Sequence, residues 1–258
     1  MTDSPAVPAL ELRSASKSFG RVAALRGASL AAYRGEVLGI VGDNGAGKST
    51  MLKTLSGIHL PDTGTMLVDG REVTFASPKE ANHAGIATVQ QDLALVEVLD
   101  VATNMALGNL PRRGLFVDRN AMNRQARQVL DDIRATVGSV TMPVGLLSGG
   151  QRQIVAIARA VRRDADIVLL DEPTAALGVR ETAHVGDIID ELKRQRKAVI
   201  CISHDMEFVF EHSDRIAVMR LGRVVAIRDP DTTPREEVIG LITGAIPGDT
   251  TNEVEGSA

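Results

Sequence analysis

The sequence predicts an α/β fold with a mostly parallel core sheet, and three short apolar runs predict it. Glu36 to Val41 (EVLGIV), Ile167 to Leu170 (IVLL) and Ala198 to Ile202 (AVICI) are nearly continuous hydrophobic stretches of strand length. Such runs suit parallel strands buried on both faces. The first leads straight into the glycine-rich GDNGAGKST and a helical stretch, MLKTLSG, while the second ends in Asp171, Glu172 and a proline. Open α/β sheets bind ligands at the carboxyl ends of such strands.

The remaining elements follow in chain order. Residues 1–9 carry two prolines and no periodic pattern, and read as a short flexible lead. From Leu10 to Tyr33 short apolar and polar runs alternate around Gly20 and Gly27, which predicts antiparallel strands. In MLVDGREVT, Asp69-Gly70 sits between β-type residues, a hairpin signal because glycine tolerates the positive φ of a tight turn. The chain from about Leu93 to Arg163 reads as helical, forming a helical subdomain over about residues 92–163. Val185 to Lys197 reads as a helix, acidic early and basic late, in keeping with the helix dipole. Its KRQRK end reads as a solvated helix terminus. Arg215 to Ile227 reads as a hairpin turning at Leu221-Gly222, and Thr233 to Gly244 as a last helix. No internal repeat is evident, so residues 1–246 form one domain and residues 247–258 a tail expected to be disordered.

Composition narrows the function. The chain has 258 residues, 29 Lys plus Arg, 33 Asp plus Glu and a net charge of −4, which argues against a general nucleic-acid binder. Aromatics make up 2%, with no Trp and one Tyr, leaving little for base stacking. Cys201 is the single cysteine and cannot form an internal disulfide, so a reducing compartment fits. It falls inside a buried strand and reads as a core thiol. No apolar run approaches the roughly 18 residues of a spanning helix, and the N-terminus lacks the basic and apolar regions of a signal peptide.

Gly42, Asp43, Asn44, Gly45, Ala46, Gly47, Lys48, Ser49 and Thr50 match G-x-x-x-x-G-K-[ST], between a predicted strand and a predicted helix. Gly42, Gly45 and Gly47 let the backbone curl so that its N–H groups face phosphate oxygens. The following helix presents its positive end to the same anion. Lys48 can reach the outer phosphates, and the Ser49 hydroxyl can ligate Mg²⁺. At the end of IVLL, Asp171 can hold Mg²⁺ through its water shell, and Glu172 can accept a proton from an attacking water. Ser148, Gly149, Gly150 and Gln151, within LSGGQ, lead into an amphipathic helix whose N-terminus forms another anion site. His59, His83, His184 and His212 show no paired metal-site spacing.

With these motifs the chain resembles the nucleotide-binding subunits of ATP-binding cassette (ABC) transporters, from Leu10 to about Gly244. The resemblance implies a P-loop NTPase fold of ABC type, with an antiparallel β-subdomain before the P-loop and a helical subdomain after it. GDNGAGKST looks like the family's Walker A motif, IVLLDE its Walker B and LSGGQ its signature. Gln91, in TVQQDLAL, looks like the Q-loop glutamine that senses Mg²⁺ and the γ-phosphate; the Asp-Leu-Ala-Leu that follows favours it over Gln90. His204, in CISHD, looks like the switch histidine at the γ-phosphate. Phe19, in KSFG, matches the aromatic that stacks on adenine, with a core phenylalanine as the alternative. One position departs: after DEPTAAL the family commonly has Asp, and this chain has Gly178.

The resemblance implies ATP and Mg²⁺ as ligands and ATP hydrolysis as the reaction. It implies a second copy of the chain as partner, because the signature of one copy closes on the ATP of the other. Integral membrane permease subunits, and indirectly a periplasmic solute-binding protein, complete the partners; no nucleic acid is among them. The place implied is peripheral, at the cytoplasmic face of the inner (plasma) membrane. GIATVQQDLAL, LSGGQRQIVAIARAV, EPTAALGVRET and EEVIGLITGA look like bacterial importers of ribose, xylose and fructose type. Import of another solute such as amino acids, or a soluble non-transport ABC ATPase, are the alternatives. A P-loop GTPase would need an Asn-Lys-x-Asp guanine reader, which the chain lacks.

Overall fold

A computed structural model describes residues 7–162 and 165–249. Most of the expected N-terminal lead, the end of the expected helical subdomain at Arg163 and most of the expected tail lie outside the described residues.

Two sheets carry the fold. Strands β1 (Leu10–Phe19), β2 (Val22–Ala32), β4 (Thr63–Val68) and β5 (Arg71–Val73) form an antiparallel sheet in the order β2-β1-β4-β5. The core sheet holds β3 (Val37–Gly42), β6 (Ile86–Val89), β9 (Ile167–Asp171), β10 (Ala198–Ile202), β11 (Arg215–Arg220) and β12 (Arg223–Arg228). Its order is β12-β11-β3-β10-β9-β6, parallel throughout except for β12.

Side-chain alternation explains why the central strands are apolar throughout. On β10, Val199 and Cys201 face a core shared with helices α3 (Val101–Ala106), α4 (Arg119–Asp132), α5 (Gly149–Val161) and α6 (Val179–Arg194). Ala198, Ile200 and Ile202 face the other core, shared with β1, β2 and α1 (Lys48–Leu55). A strand with a core on each side has no face left for polar residues. Cys201 is buried among them, and burial pushes its thiol up to about 12, an unreactive group.

Three expectations need correction. The stretch from Leu93 to Arg163 is not helical throughout: Pro111 and Gly114 punctuate it, and a small hairpin, β7 (Arg112–Arg113) and β8 (Phe116–Val117), stands between α3 and α4. Helix α6 begins at Val179, six residues before the expected Val185, and ends at Arg194. Its buried residues start at Val185, so the apolar signal marks only where burial begins. The KRQRK run is not simply solvated: Lys193 pairs with Asp214, Arg194 with Glu191, and Lys197 Nζ donates to the Ala165 carbonyl at 2.6 Å. Helices α2 (Pro78–His83) and α7 (Met206–His212), and strand β6, carry no sequence expectation. Helix α8 (Arg235–Thr243) closes the fold. Of the expected tail, residues 247–249 lie against β12: Asp249 N donates to the Val225 carbonyl at 2.8 Å and its carboxylate accepts two bonds from Arg228.

One ion pair between buried Glu36 and half-buried Arg215 ties β11 to the turn before β3. The Glu36 carboxylate accepts from Tyr33 N at 2.7 Å and from Arg215 Nη1 at 2.8 Å. Burial pushes the Glu36 carboxyl above its usual range, and Arg215 opposes that push. Arg215→Ala is expected to cost about 2–4 kcal/mol at neutral pH, because it strands a buried carboxylate. A carboxyl whose folded pKa is raised loses stability as pH rises through that pKa, so the penalty should shrink in acid. Urea midpoints of both proteins near neutral pH and near the carboxyl range check this; a penalty independent of pH would contradict it.

Candidate functional site

The glycine-rich loop lies between β3 and α1, and its path is set by close approaches of backbone to backbone. Gly45 and Gly47 have φ of 80° and 104°, left-handed values that favour glycine. A Cβ on Gly47 would lie 2.6 Å from the Ala24 carbonyl oxygen of β2, and one on Gly42 would overlap the Met219 carbonyl oxygen of β11. Ala46 O accepts from Gly222 N at 2.9 Å, and Gly222 O accepts from Arg26 N at 2.8 Å. Lys48 is buried inside the curl, where its Nζ donates to the carbonyls of Gly42 (2.8 Å) and Asp43 (3.0 Å). Burial lowers its pKa, against the pull of Glu172, Asp43 and Asp171. Ser49 and Thr50 follow in the first turn of α1, Ser49 exposed and Thr50 half-buried; Asp43 and Asn44 stand exposed at the rim.

The core sheet brings the other candidates to the same edge. From β3 outward through β10 and β9 to β6, the strands' carboxyl ends deliver the loop, then His204, then Asp171 and Glu172, then Gln91. Asp171 pairs in register with Ile202. Glu172 turns off the strand in a left-handed conformation (φ 50°), uncommon for a residue with a side chain and costly unless its surroundings hold it. Its N–H donates to the Ile202 carbonyl at 2.9 Å, and its Oε1 lies 2.9 Å from His204 Nε2. Burial raises the Asp171 carboxyl, Glu172 adds to the rise, and Lys53, Lys48 and His204 oppose it. Gln91 is exposed and without a hydrogen bond among the described residues. The sequence does not single out Lys53, one helical turn beyond Ser49 and outside any motif, or the Glu172–His204 contact, which joins two motifs far apart in the chain.

This edge can bind a phosphorylated ligand and move a proton. Loop amides, the helix N-terminus and Lys48 suit a polyphosphate. The Ser49 hydroxyl, the Asp171 carboxylate and the Gln91 amide oxygen are hard oxygen donors of the type Mg²⁺ takes. Glu172 is a carboxylate held by a histidine, an arrangement suited to a general base.

Phe19 ends β1 and is 45% exposed, its ring meeting that of His59 at 5.1 Å, so the core-phenylalanine alternative does not hold. Ser148, Gly149, Gly150 and Gln151 are not gathered with the loop: no hydrogen bond joins them to residues 42–50 among the described residues. They open α5 with a capping box, in which Ser148 Oγ accepts from Gln151 N and Gln151 Oε1 accepts from Ser148 N. Their neighbours are Leu177 and Glu181, just past Glu172 in the chain.

Residues 25–175 match the ABC transporter family. The chain belongs to that family. This ABC protein is 43% identical over 246 residues to the fructose import ATP-binding protein FrcA of Rhizobium meliloti, covering 92% of this chain and 95% of that one. It is 41% identical over 238 residues to a ribose import ATP-binding protein, RbsA 1, of Agrobacterium fabrum, covering 92% of this chain and 46% of that one. Among solved structures, a dimeric ATP-binding cassette in a post-hydrolysis state bound to ADP and Pi aligns with TM-score 0.74 at 25% identity, over 86% of this chain and 98% of that one. Membership of the ABC transporter family makes this chain an ATPase, the ATP-hydrolysing subunit of a transporter.

The packing of the loop yields a direct test. Gly47→Ala forces a Cβ onto a left-handed backbone and against the Ala24 carbonyl, and the loop must shift by a few tenths of an ångström or more. Affinity for a fluorescent ATP analogue should fall at least about tenfold, since displaced amides lose their aim at phosphate. Affinity within about threefold of wild type would show that the loop does not depend on this approach.

Proposed function

We propose that the chain energises sugar import, working as a pair with a second copy on integral membrane permease subunits and, through them, with a periplasmic solute-binding protein. The observation that carries this reading is the 43% identity held along 95% of a fructose import ATP-binding protein. The chain then sits peripherally at the cytoplasmic face of the inner membrane, and no helix of the described residues is long and apolar enough to cross one.

In this reading the amides of residues 42–47 and Lys48 take the phosphates, and Phe19 stacks on adenine. Ser49, Asp171 and Gln91 hold Mg²⁺, which when bound neutralises charge on the outer phosphates. Glu172 accepts the proton of the attacking water, and His204 fixes the carboxylate and can donate to the γ-phosphate. Ser148 to Gln151 serve the ATP of the second copy, because within one chain they lie apart from the loop. Gln91 joins the core edge to the helical subdomain and passes the state of the nucleotide outward. A groove of about 960 Å³ supports a docked permease segment: Lys79, Asn82 and His83 of α2 line one side, Gln125, Gln128 and Asp132 of α4 the other. One wall belongs to the core and the other to the helical subdomain, so a segment seated there would feel them shift against each other.

Glu172→Gln should retain ATP binding, lose at least about 10²-fold in hydrolysis, and accumulate an ATP-bound dimer on gel filtration. Hydrolysis within about threefold of wild type would refute the general-base role. Transport itself is tested in vesicles carrying the chain with its coexpressed multi-spanning permease and a solute-binding protein. ATP-dependent uptake of labelled monosaccharides such as fructose, ribose and xylose is expected for one or more, and amino-acid uptake without sugar uptake would overturn the substrate class.

A further inference from the structure

Two glycines on different elements make room for one side chain. Gly150 lies in the first turn of α5, and Gly178 is the N-cap of α6 with φ −79° and ψ 168°, a conformation open to any residue. Neither glycine is required by its dihedral angles; both lie against Glu181. A Cβ on Gly150 would overlap Cγ of Glu181 and lie 2.7 Å from its Cβ, while a Cβ on Gly178 would lie 2.8 Å from Glu181 Oε2. Leu177 covers the neighbouring glycine, its Cδ2 standing 3.7 Å from where a Cβ on Gly149 would be. Glu181 is therefore wedged between the signature turn, Ser148 to Gln151, and the connector that runs on from Glu172.

The wedge is charged and half-buried, yet its carboxylate makes no hydrogen bond or ion pair among the described residues. It sits in the first turn of α6 and against the first turn of α5, where both helix dipoles present their positive ends. The connector is short and internally bonded: Ala175 N donates to the Glu172 carbonyl at 3.1 Å, Leu177 N to the Thr174 carbonyl at 3.2 Å, and Thr182 N to the Gly178 carbonyl at 2.9 Å. A shift of the signature turn has a packed path through Glu181 into the connector, and so to the strained backbone of Glu172.

We propose that Glu181 is a positioning residue that couples the signature turn to Glu172, its carboxylate standing in the space that a side chain at position 178 would fill. The proposal rests on the reading that two copies close on ATP. In that arrangement the signature turn attends one ATP and Glu172 of the same chain the other, so Glu181 links the two sites through a single chain.

The test compares the purified full chain with Glu181→Ala, Glu181→Gln, Gly178→Asp and the double variant Gly178→Asp/Glu181→Ala. Readouts are ATPase rate against ATP concentration, with its Hill coefficient, and affinity for a fluorescent ATP analogue. Glu181→Ala should lower kcat about tenfold and bring the Hill coefficient towards one, with affinity within about twofold of wild type, because alignment is lost and the loop is untouched. Glu181→Gln keeps the shape and should retain more than half of the wild-type kcat. Gly178→Asp alone should be impaired, since two carboxylates would claim one space. The double variant should recover to within about threefold of wild type, because a carboxylate again fills it.

A merely structural role predicts kcat and affinity to fall together in Glu181→Ala with the Hill coefficient unchanged; that result, or a double variant no better than either single one, overturns the proposal. So does a Glu181→Ala protein with wild-type kcat and Hill coefficient. If Glu181→Ala does not fold, Glu181→Asp replaces it: lowered kcat at unchanged affinity supports the coupling and unchanged kcat overturns it. A wild type that forms no dimer with ATP removes the paired reading and the proposal together, whereas an intact dimer with indifferent variants removes the proposal alone.

Discussion

The glycine-rich loop is pressed between two carbonyl oxygens, and most of the molecule is arranged around that contact. Met219 O belongs to the core sheet and Ala24 O to the antiparallel sheet. Gly222, in the turn between β11 and β12, bonds to Ala46 on one side and to Arg26 on the other. The loop is thus the joint at which both sheets meet, and its curvature is imposed from outside rather than by its own few hydrogen bonds. Any side chain at 42 or 47 would meet one of these carbonyl oxygens and force the loop or its neighbours to shift. Catalytic geometry and the relation of the two subdomains are then one constraint, because backbone aimed at a phosphate must be rigid to within fractions of an ångström.

Electrostatics at the edge follow from the same enclosure. Burial pushes Asp171 up and Lys48 down, each towards its neutral form, while their mutual attraction opposes both shifts. Each charge also has a larger partner, Glu172 for Lys48 and Lys53 for Asp171. A site held in this balance gains most from a ligand that brings negative phosphate and positive metal together, because each satisfies one half of the pair. Glu172 adds backbone strain to this poise. Its left-handed φ is paid for by β9 and β10, whose register places Ile202 O to receive its N–H.

Much of this was legible in the sequence, for identifiable reasons. The three apolar runs and the loop between β3 and α1 were readable because the signal is local: a strand buried on both faces and a glycine pattern need no knowledge of neighbours. The hairpins at Asp69-Gly70 and Leu221-Gly222 were readable for the same reason. What could not be read was order in space. Nothing in AVICI says that β10 lies between β3 and β9, and it is that placement which sets His204 against Glu172. Strand β6 escaped because four residues, IATV, are too few to show a period. The hairpin at residues 112–117 escaped because charged residues either side of it favoured a helical reading. Gly178 was visible as a departure, but the carboxylate beside it belongs to Glu181, three residues on, whose direction only the fold reveals.

The two proposed anion sites of the chain differ in how they treat their own donors. In the first, Lys48 and the loop are bound inward, with the lysine on the carbonyls of Gly42 and Asp43. The second satisfies part of its helix end through the capping box, which uses the N–H groups of Ser148 and Gln151. The first turn of a helix has four N–H groups without intrahelical partners. With Gln151 N–H taken by the box, Gly149 and Gly150 retain theirs, beside the Ser148 hydroxyl hydrogen. That is a small, pre-set group of donors facing off the end of α5, too few to hold a triphosphate alone but suited to complete one already held elsewhere. The core packing of α5 from Ile154 to Val161 fixes that end, and no hydrogen bond joins it to residues 42–50 among the described residues. In the proposed pairing, a cassette of this shape would carry half of a site at each of two places, and a second chain would complete either half.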